Sequence, residues 1–289
     1  MNVLSLFDGI SCGRVAIERV GVKVDKYYAS EIDKYAIKVS QKNYPDIIQL
    51  GDVTQWRNWK IDWSSIDLII GGSPCQDLSC AGKGAGLEGE RSKLFFYYIE
   101  ILGHCKRNNP NVLFLLENNN SMSTLNKQRI SDFIGCDFIK INSNLVSAQN
   151  RDRLYWTNIN GGGGGIPLPK DKNIQLKDIL TGQRDWRVCG AWVYNTWGDK
   201  TKKDTLYKLS APKSNTLTTS KTHNRNYYLS EDKTQYTNLN IIEWERLQTL
   251  PDDYTEGIPN TQRYKCLGNG WTVDVIAHIF SFLPKEYKK

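Results

Sequence analysis

The stretch Val3-Leu4-Ser5-Leu6-Phe7-Asp8-Gly9-Ile10-Ser11-Cys12-Gly13 decides how the rest of the chain reads. Val3 to Phe7 is a short apolar run of buried-strand character that ends at Asp8-Gly9. From Gly13 to Val20 the residues Val15, Ala16, Ile17 and Val20 recur at helical spacing. A strand that turns through glycine into a helix is the first half of a strand–helix–strand unit, and the pattern repeats. Tyr27 to Ser30 reads as a second strand, Lys34 to Asn43 as a helix stopped by Pro45, and Ile47 to Gly51 as a third strand end. Ile66 to Ile70 follows as a strand, Leu94 to Cys105 as a helix and Val112 to Leu116 as a strand. This alternation predicts an α/β fold built on a parallel sheet with crossover helices.

Beyond Trp156 the pattern changes. The glycine run Gly161 to Gly165 is followed by Ile166-Pro167-Leu168-Pro169, and from there to about Arg263 the chain is polar, aromatic-rich and irregular. A smaller second lobe is expected there. Val273 to Leu283 again has the spacing of an amphipathic helix.

Composition bounds the function. In 289 residues, 39% are hydrophobic and 24% charged, enough for an ordinary soluble core. Lys and Arg number 38 against 31 Asp and Glu, a net charge of +7, which suits a polyanionic partner without establishing one. The seven cysteines are odd in number and form no CxxC pair, so neither a disulfide framework nor a metal site is expected. The chain opens directly on a strand, and no segment has the apolar length of a membrane span. A protein of the reducing cytoplasm is the expectation, without a membrane partner.

The turn Phe7 to Gly13, between strand and helix, lets backbone approach a ligand and offers free N–H groups. Glu31 follows the second strand, where an acid accepts hydrogen bonds from ribose hydroxyls. Asp52 follows the third, where a carboxylate can accept from an adenine amino group. Together these signals predict a nucleoside-bearing cofactor. Further along, Gly71-Gly72-Ser73-Pro74-Cys75-Gln76 presents a cysteine at a strand end, a candidate nucleophile. The next strand ends in Glu117-Asn118, placing a carboxylate at the same sheet edge. His104, His223 and His278 lie in no nucleophile motif, so a Cys–His hydrolase is not indicated. A Cys–Glu pair suits activation of a pyrimidine: a thiolate adds at carbon 6, carbon 5 becomes nucleophilic, and the acid stabilises the intermediate at ring nitrogen 3.

These motifs, in this order, resemble the DNA (cytosine-5) methyltransferase family across nearly the whole chain. The Phe7–Gly13 turn is similar to its cofactor loop, and Ser73-Pro74-Cys75-Gln76 to its nucleophile motif. Glu117-Asn118 resembles its ENV motif, with Asn119-Asn120 as a departure. Gln149-Asn150-Arg151-Asp152-Arg153 resembles QxRxR, and Thr216-Leu217-Thr218-Thr219 and Gly268-Asn269-Gly270-Trp271-Thr272-Val273 its last two motifs. The style is that of the compact catalytic domain of animal de novo enzymes, of a kind also found in phages and bacteria.

The resemblance implies a Rossmann-like, S-adenosylmethionine-dependent sheet with a small target-recognition lobe. It implies a catalytic domain of residues 1–156 plus 264–289 and a recognition domain of 157–263. Cys75, Glu117, Arg151 and Arg153 would be catalytic. Phe7, Asp8, Gly9, Ser11, Gly13, Glu31, Ile32, Asp52, Val53, Pro74, Leu94, Asn269, Trp271 and Thr272 would hold the cofactor, S-adenosylhomocysteine being the product. The partner would be double-stranded DNA with the target cytosine flipped out of the stack. The glycine-rich segment Ser79 to Lys93 would close over it, and Arg184, Arg187, Lys200, Lys202, Lys203, Lys208, Lys213, Lys221 and Arg225 would contact phosphates. Three rivals are the same chemistry on tRNA, whose enzymes carry a Cys-Phe-Thr signature not found here; an inactive DNA-binding regulator, which would not need the intact Cys–Glu–Arg set; and folate-dependent modification of a pyrimidine nucleotide, which the cofactor turn and the basic lobe fit poorly.

Overall fold

The computed structural model describes residues 1–73, 93–162, 164–182, 187–188, 205–208, 212–219, 226–230, 232 and 234–288. They form two compact units. The first comprises Met1–Asn142, Asp152–Pro169 and Val275–Lys289, the second Ser143–Arg151 and Lys170–Asp274. The sequence division at 157 and 264 differs from this grouping. Residues 143–151 and 264–274 group with the second unit and 157–169 with the first.

The first unit is built on strands β1 (Asn2–Leu6), β2 (Lys26–Ser30), β3 (Ile48–Gln49), β4 (Leu68–Gly71), β5 (Leu113–Asn119), β6 (Phe138–Asn142) and β7 (Asp152–Thr157). They form one sheet in the order β3-β2-β1-β4-β5-β7-β6. The helices are α1 (Cys12–Arg19), α2 (Lys34–Asn43), α3 (Lys93–Asn108) and α4 (Thr124–Ile134). β4 is buried throughout and β1 nearly so, because a parallel sheet is covered on both faces. Helix α3 turns Phe95, Tyr98, Ile101, Leu102 and Cys105 inward at helical spacing, against Leu4, Ile69, Phe114, Leu116 and Trp156. At the end of β4 space is tight. A Cβ on Gly71 would stand 3.0 Å from both the Leu6 carbonyl oxygen and the Tyr98 ring.

Three expectations change. The sheet is not wholly parallel: β7 runs antiparallel to both β5 and β6. Residues 143–151 alone join β6 to β7, fewer than the roughly dozen residues a parallel crossover needs. Phe7 leaves the strand, with φ of 57° in the turn. Glu117 and Asn118 lie within β5 rather than after it, paired with Tyr155 and Leu154 of β7.

Between β1 and β4 the chain reverses its direction of travel across the sheet. Their carboxyl ends therefore flank a topological switch point, where open α/β sheets bind ligands.

In the second unit, β8 (Arg187–Val188), β9 (Thr205–Lys208), β10 (Asn226–Leu229) and β11 (Gln235–Thr237) form a sheet ordered β8-β11-β10-β9. With them lie α5 (Leu176–Ile179), α6 (Ile241–Leu247) and α7 (Asn260–Asn269), while α8 (Val273–Phe280) falls mostly in the first unit. This unit buries many polar side chains, among them Gln149, Arg151, Glu245, Gln248, Thr255 and Arg263. Glu245 and Arg263 pair at 3.0 Å, which offsets the cost of burying either charge alone. Among the described residues no helix is long and apolar enough to cross a membrane.

Candidate active site

The turn after β1 is held in an uncommon shape. Phe7, Gly9 and Ser11 all have positive φ, at 57°, 62° and 60°. Two side-chain carboxylates fix it. Glu31, just past β2, accepts the Gly9 N–H at 2.8 Å through Oε2, and the Ile32 and Asp33 N–H groups at 2.7 and 2.8 Å through Oε1. Asp8 accepts the Tyr27 hydroxyl at 2.8 Å on one oxygen and the Ser11 hydroxyl at 2.5 Å on the other. Burial pushes the Asp8 carboxyl up to about 6, against the lowering effect of its hydroxyl partners, and the Glu31 charge adds to the rise.

Ser11 is fully buried and its hydroxyl also meets that of Ser40, so it supports the turn from behind rather than facing a ligand. Gly13 is buried in α1. Ile32 is 74% exposed, an apolar side chain left at a strand end. Asp52 is exposed; its Oδ1 accepts the Thr54 N–H at 2.8 Å and starts a short 3-10 helix, in which Val53 is buried. Leu94 and Phe7 are partly buried and pack against the core.

This donor and acceptor set fits a nucleoside cofactor. Asp52 Oδ2 has no hydrogen-bond partner among the described residues, and Ile32 offers an uncovered apolar surface.

Two strands away, Glu117 projects from β5 with 8% of its surface exposed. Arg153 of β7 brings its Nε to 2.9 Å from Glu117 Oε1 and donates through an Nη to the Asp152 carbonyl at 2.8 Å. The antiparallel register puts Arg153 opposite Asn119, so the pair belongs to adjacent strands. Asn118, 1% exposed, donates to the carbonyl and hydroxyl of Ser73 at 3.4 and 3.3 Å. Ser73 is the last described residue before Pro74 and Cys75. Those two, and all but Lys93 of the segment from Ser79 to Lys93 read as a closing loop, lie outside the described residues.

A family model described as C-5 cytosine-specific DNA methylase matches residues 1–164 and 168–285. The chain belongs to this family. It is similar to the orphan methyltransferase M.SPRI of Bacillus phage SPR, 31% identical over 257 residues, which are 81% of this chain and 53% of the phage protein. The chain thus spans about half the length of that relative. It is also similar to the type II methyltransferase M1.ScrFI of Lactococcus lactis subsp. cremoris, 29% identical over 306 residues, covering 95% of this chain and 76% of the other. Among solved structures, the Entamoeba histolytica methyltransferase EhMeth superposes with a TM-score of 0.72 at 16% identity, over 100% of this chain and 99% of that one, a likeness of fold.

The remaining family motifs lie in the second unit, where one buried network joins them. Arg151, 3% exposed, donates to the carbonyl oxygens of Leu217, Gly268 and Gly270 at 3.4, 3.2 and 2.9 Å. The two arginines of the QxRxR-type motif thus differ: Arg153 meets Glu117, whereas Arg151 ties three backbone segments together. Gly268 is required there, since a Cβ would come within 2.1 Å of the Thr218 carbonyl oxygen.

Asn269 is exposed, Trp271 partly buried and Thr272 buried. The Thr272 hydroxyl donates to Gln248 Oε1 at 2.8 Å. Gln248 also donates to the Leu267 carbonyl at 2.6 Å and the Gly270 carbonyl at 3.1 Å, and its Oε1 accepts from Gln149 at 3.3 Å.

Sequence reasoning passed over Gln248. Its signal was a polar residue framed by the apolar Trp244, Leu247 and Leu250. Lys213, grouped with phosphate-binding cations in the sequence, instead donates to the carbonyls of Asn144, Ser147 and Ile174 at 2.7, 3.1 and 2.6 Å. Its flanking Pro212 and Ser214 gave no hint of these bonds. Arg184, Lys200, Lys202, Lys203, Lys221 and Arg225 lie outside the described residues.

Proposed function

We propose that this chain transfers a methyl group from S-adenosylmethionine to carbon 5 of cytosine in double-stranded DNA. One observation carries the reading: along the carboxyl edge of a single sheet, the acceptors Glu31 and Asp52 are followed by an arginine-held glutamate, Glu117, whose neighbour Asn118 reaches the residue leading into Pro74-Cys75. The relatives named as phage and type II methyltransferases support it.

S-adenosylmethionine, when bound, supplies an electrophilic methyl group. Glu31 accepts from ribose hydroxyls while its remaining lone pairs hold the Gly9 turn. Asp52 accepts an adenine amino group, and Ile32 with Val53 and Leu94 lines an apolar slot. The turn Phe7, Asp8 and Gly9, backed by Ser11 and Gly13, with Pro74, Asn269, Trp271 and Thr272, completes the cofactor set.

Cys75 adds through its thiolate to carbon 6 of a flipped-out cytosine, which makes carbon 5 nucleophilic. Glu117 holds a proton at ring nitrogen 3 and accepts from the exocyclic amine. Arg153 orients Glu117, and Arg151 orients the last motif. Once carbon 5 has gained the methyl group and lost its proton, the thiolate leaves. The catalytic division at 1–156 plus 264–289, with recognition by 157–263, belongs to this proposal, as does action in the cytoplasm of a bacterial or phage-infected cell.

The test is transfer of labelled methyl groups to unmethylated duplex DNA and, in parallel, to tRNA. Label in DNA that is lost in Cys75→Ala is expected. Label in tRNA alone would replace the DNA reading with the RNA one.

A further inference from the structure

The feature that the catalytic reading does not use is the chain of side-chain oxygens behind the cofactor turn. It runs from the Tyr27 hydroxyl to Asp8 at 2.8 Å, from Asp8 to the Ser11 hydroxyl at 2.5 Å, and from Ser11 to the Ser40 hydroxyl at 2.7 Å. Four elements are stitched by it: β2 through Tyr27, the turn through Asp8, the start of α1 through Ser11, and α2 through Ser40. Tyr27, Ser11 and Ser40 are fully buried. The relay spans the segment where Phe7, Gly9 and Ser11 hold positive φ. Left-handed backbone at a non-glycine residue is costly and persists only where surrounding bonds over-determine it. Ser11 has no side-chain cap bond to α1, so its hydroxyl is committed to the relay instead.

We propose that this relay is the positioning device of the cofactor turn, and that Asp8 must be ionised for the turn to bind S-adenosylmethionine tightly. The proposal rests on the reading of the turn as the cofactor site. In the observed arrangement both Asp8 oxygens accept a hydroxyl. A protonated carboxyl turns one of those oxygens into a donor, so the hydroxyl that faces it must reverse and accept. The two charge-assisted bonds that tie the left-handed turn then become weaker neutral ones. A retained negative charge also favours a cofactor that carries a sulfonium.

The charged and titratable groups around Asp8 are few. Glu31 faces it from the end of β2 and opposes its ionisation, as does burial, while Ser5 of β1, Ser11 and Tyr27 favour it. Arg14 of α1 lies with its guanidinium carbon 5.9 Å from the Tyr27 ring centre, and is itself committed to Glu18 and Asp46 at 3.0 and 3.2 Å. Burial sets the Asp8 transition at about 6, so binding should change across a pH range that is easily reached.

The experiment is calorimetric binding of S-adenosylmethionine to the full chain from pH 5 to 8, for the wild type, Asp8→Asn and Tyr27→Phe. Affinity of the wild type should be about tenfold weaker at the acid end, the effect of a one-unit change in the carboxyl on binding. The break should lie near 6, vanish in Asp8→Asn and move upward in Tyr27→Phe, which removes a donor to the carboxylate. A flat wild-type profile, or a break that survives in Asp8→Asn, would overturn the proposal.

Amide hydrogen exchange of Gly9 to Ser11 supplies a readout without cofactor. Protection factors should fall below pH 6 in the wild type and stay constant in Asp8→Asn, and equal behaviour of the two would overturn the relay. Absence of cofactor binding at every pH would instead overturn the reading of the turn as a cofactor site, leaving the relay to be decided by exchange.

Discussion

The two halves of the candidate site sit on the same sheet edge yet are finished to different degrees. At the ends of β1 and β2 the protein has already organised its polar groups. Glu31 takes three backbone N–H groups and Asp8 takes two hydroxyls, around a turn with three left-handed residues. At the ends of β4 and β5, Glu117 meets Arg153 across a strand pair, and the Asn118 bonds to Ser73 are long, at 3.3 and 3.4 Å. The difference teaches a division of labour. A cofactor pocket gains affinity from preorganisation, since no ordering cost remains at binding. The chemical half needs groups whose interactions strengthen only as the reaction proceeds.

Breaking the chemical half should leave binding intact and remove turnover. The largest effect is expected for Cys75→Ala, which should lower methyl transfer by more than about 10⁴-fold. Calorimetric affinity for S-adenosylmethionine should be unchanged. Glu117→Gln should follow, with transfer reduced by about 10²- to 10⁴-fold at saturating cofactor and DNA, measured by single-turnover kinetics.

Breaking the cofactor half should do the reverse. Glu31→Ala removes the acceptor of the Gly9, Ile32 and Asp33 N–H groups. It should weaken cofactor binding by about ten- to a hundredfold, on the order of 1–3 kcal/mol. The single-turnover rate should recover when cofactor is raised.

A further effect concerns stability rather than turnover. Asp8 is raised from 3.8 to about 6 in the folded chain, so between those values the folded state keeps a proton that the unfolded state has released. Stability therefore falls as pH rises through that window, by up to about 3 kcal/mol. Asp8→Asn should lose that slope in urea melts. The same charge that costs the fold serves the turn.

Much of the first unit was legible in the sequence because its burial leaves simple patterns. The run Val3–Leu6 announces itself as an unbroken apolar segment, and the helix Lys34–Asn43 and the buried stripe of α3 through a period of 3.6 residues. The antiparallel β7 did not. Its direction follows from the shortness of residues 143–151, a connection whose significance depends on where β6 ends. Glu31, Asp52 and Glu117 could be named from their places after strands, and the two arginines from the family resemblance. Their different uses could not, since Arg151 and Arg153 stand two residues apart and only backbone geometry sends one to three carbonyls and the other to Glu117. The second unit was least legible. Gln149, Gln248 and Thr272 look like surface residues, yet a network of buried amides, hydroxyls and carbonyls places them inside, and such a network leaves no periodic trace.

The central claim, that this family member methylates cytosine at carbon 5 in DNA, is tested most directly by one measurement. Purified protein is incubated with S-adenosylmethionine and unmethylated duplex DNA, and the product is mapped by base-resolution sequencing, with Cys75→Ala alongside. The expected product is 5-methylcytosine at a recurrent sequence context, absent from the Cys75→Ala sample. Unmodified DNA from a wild-type protein that binds the cofactor, or modification that persists in Cys75→Ala, would contradict it.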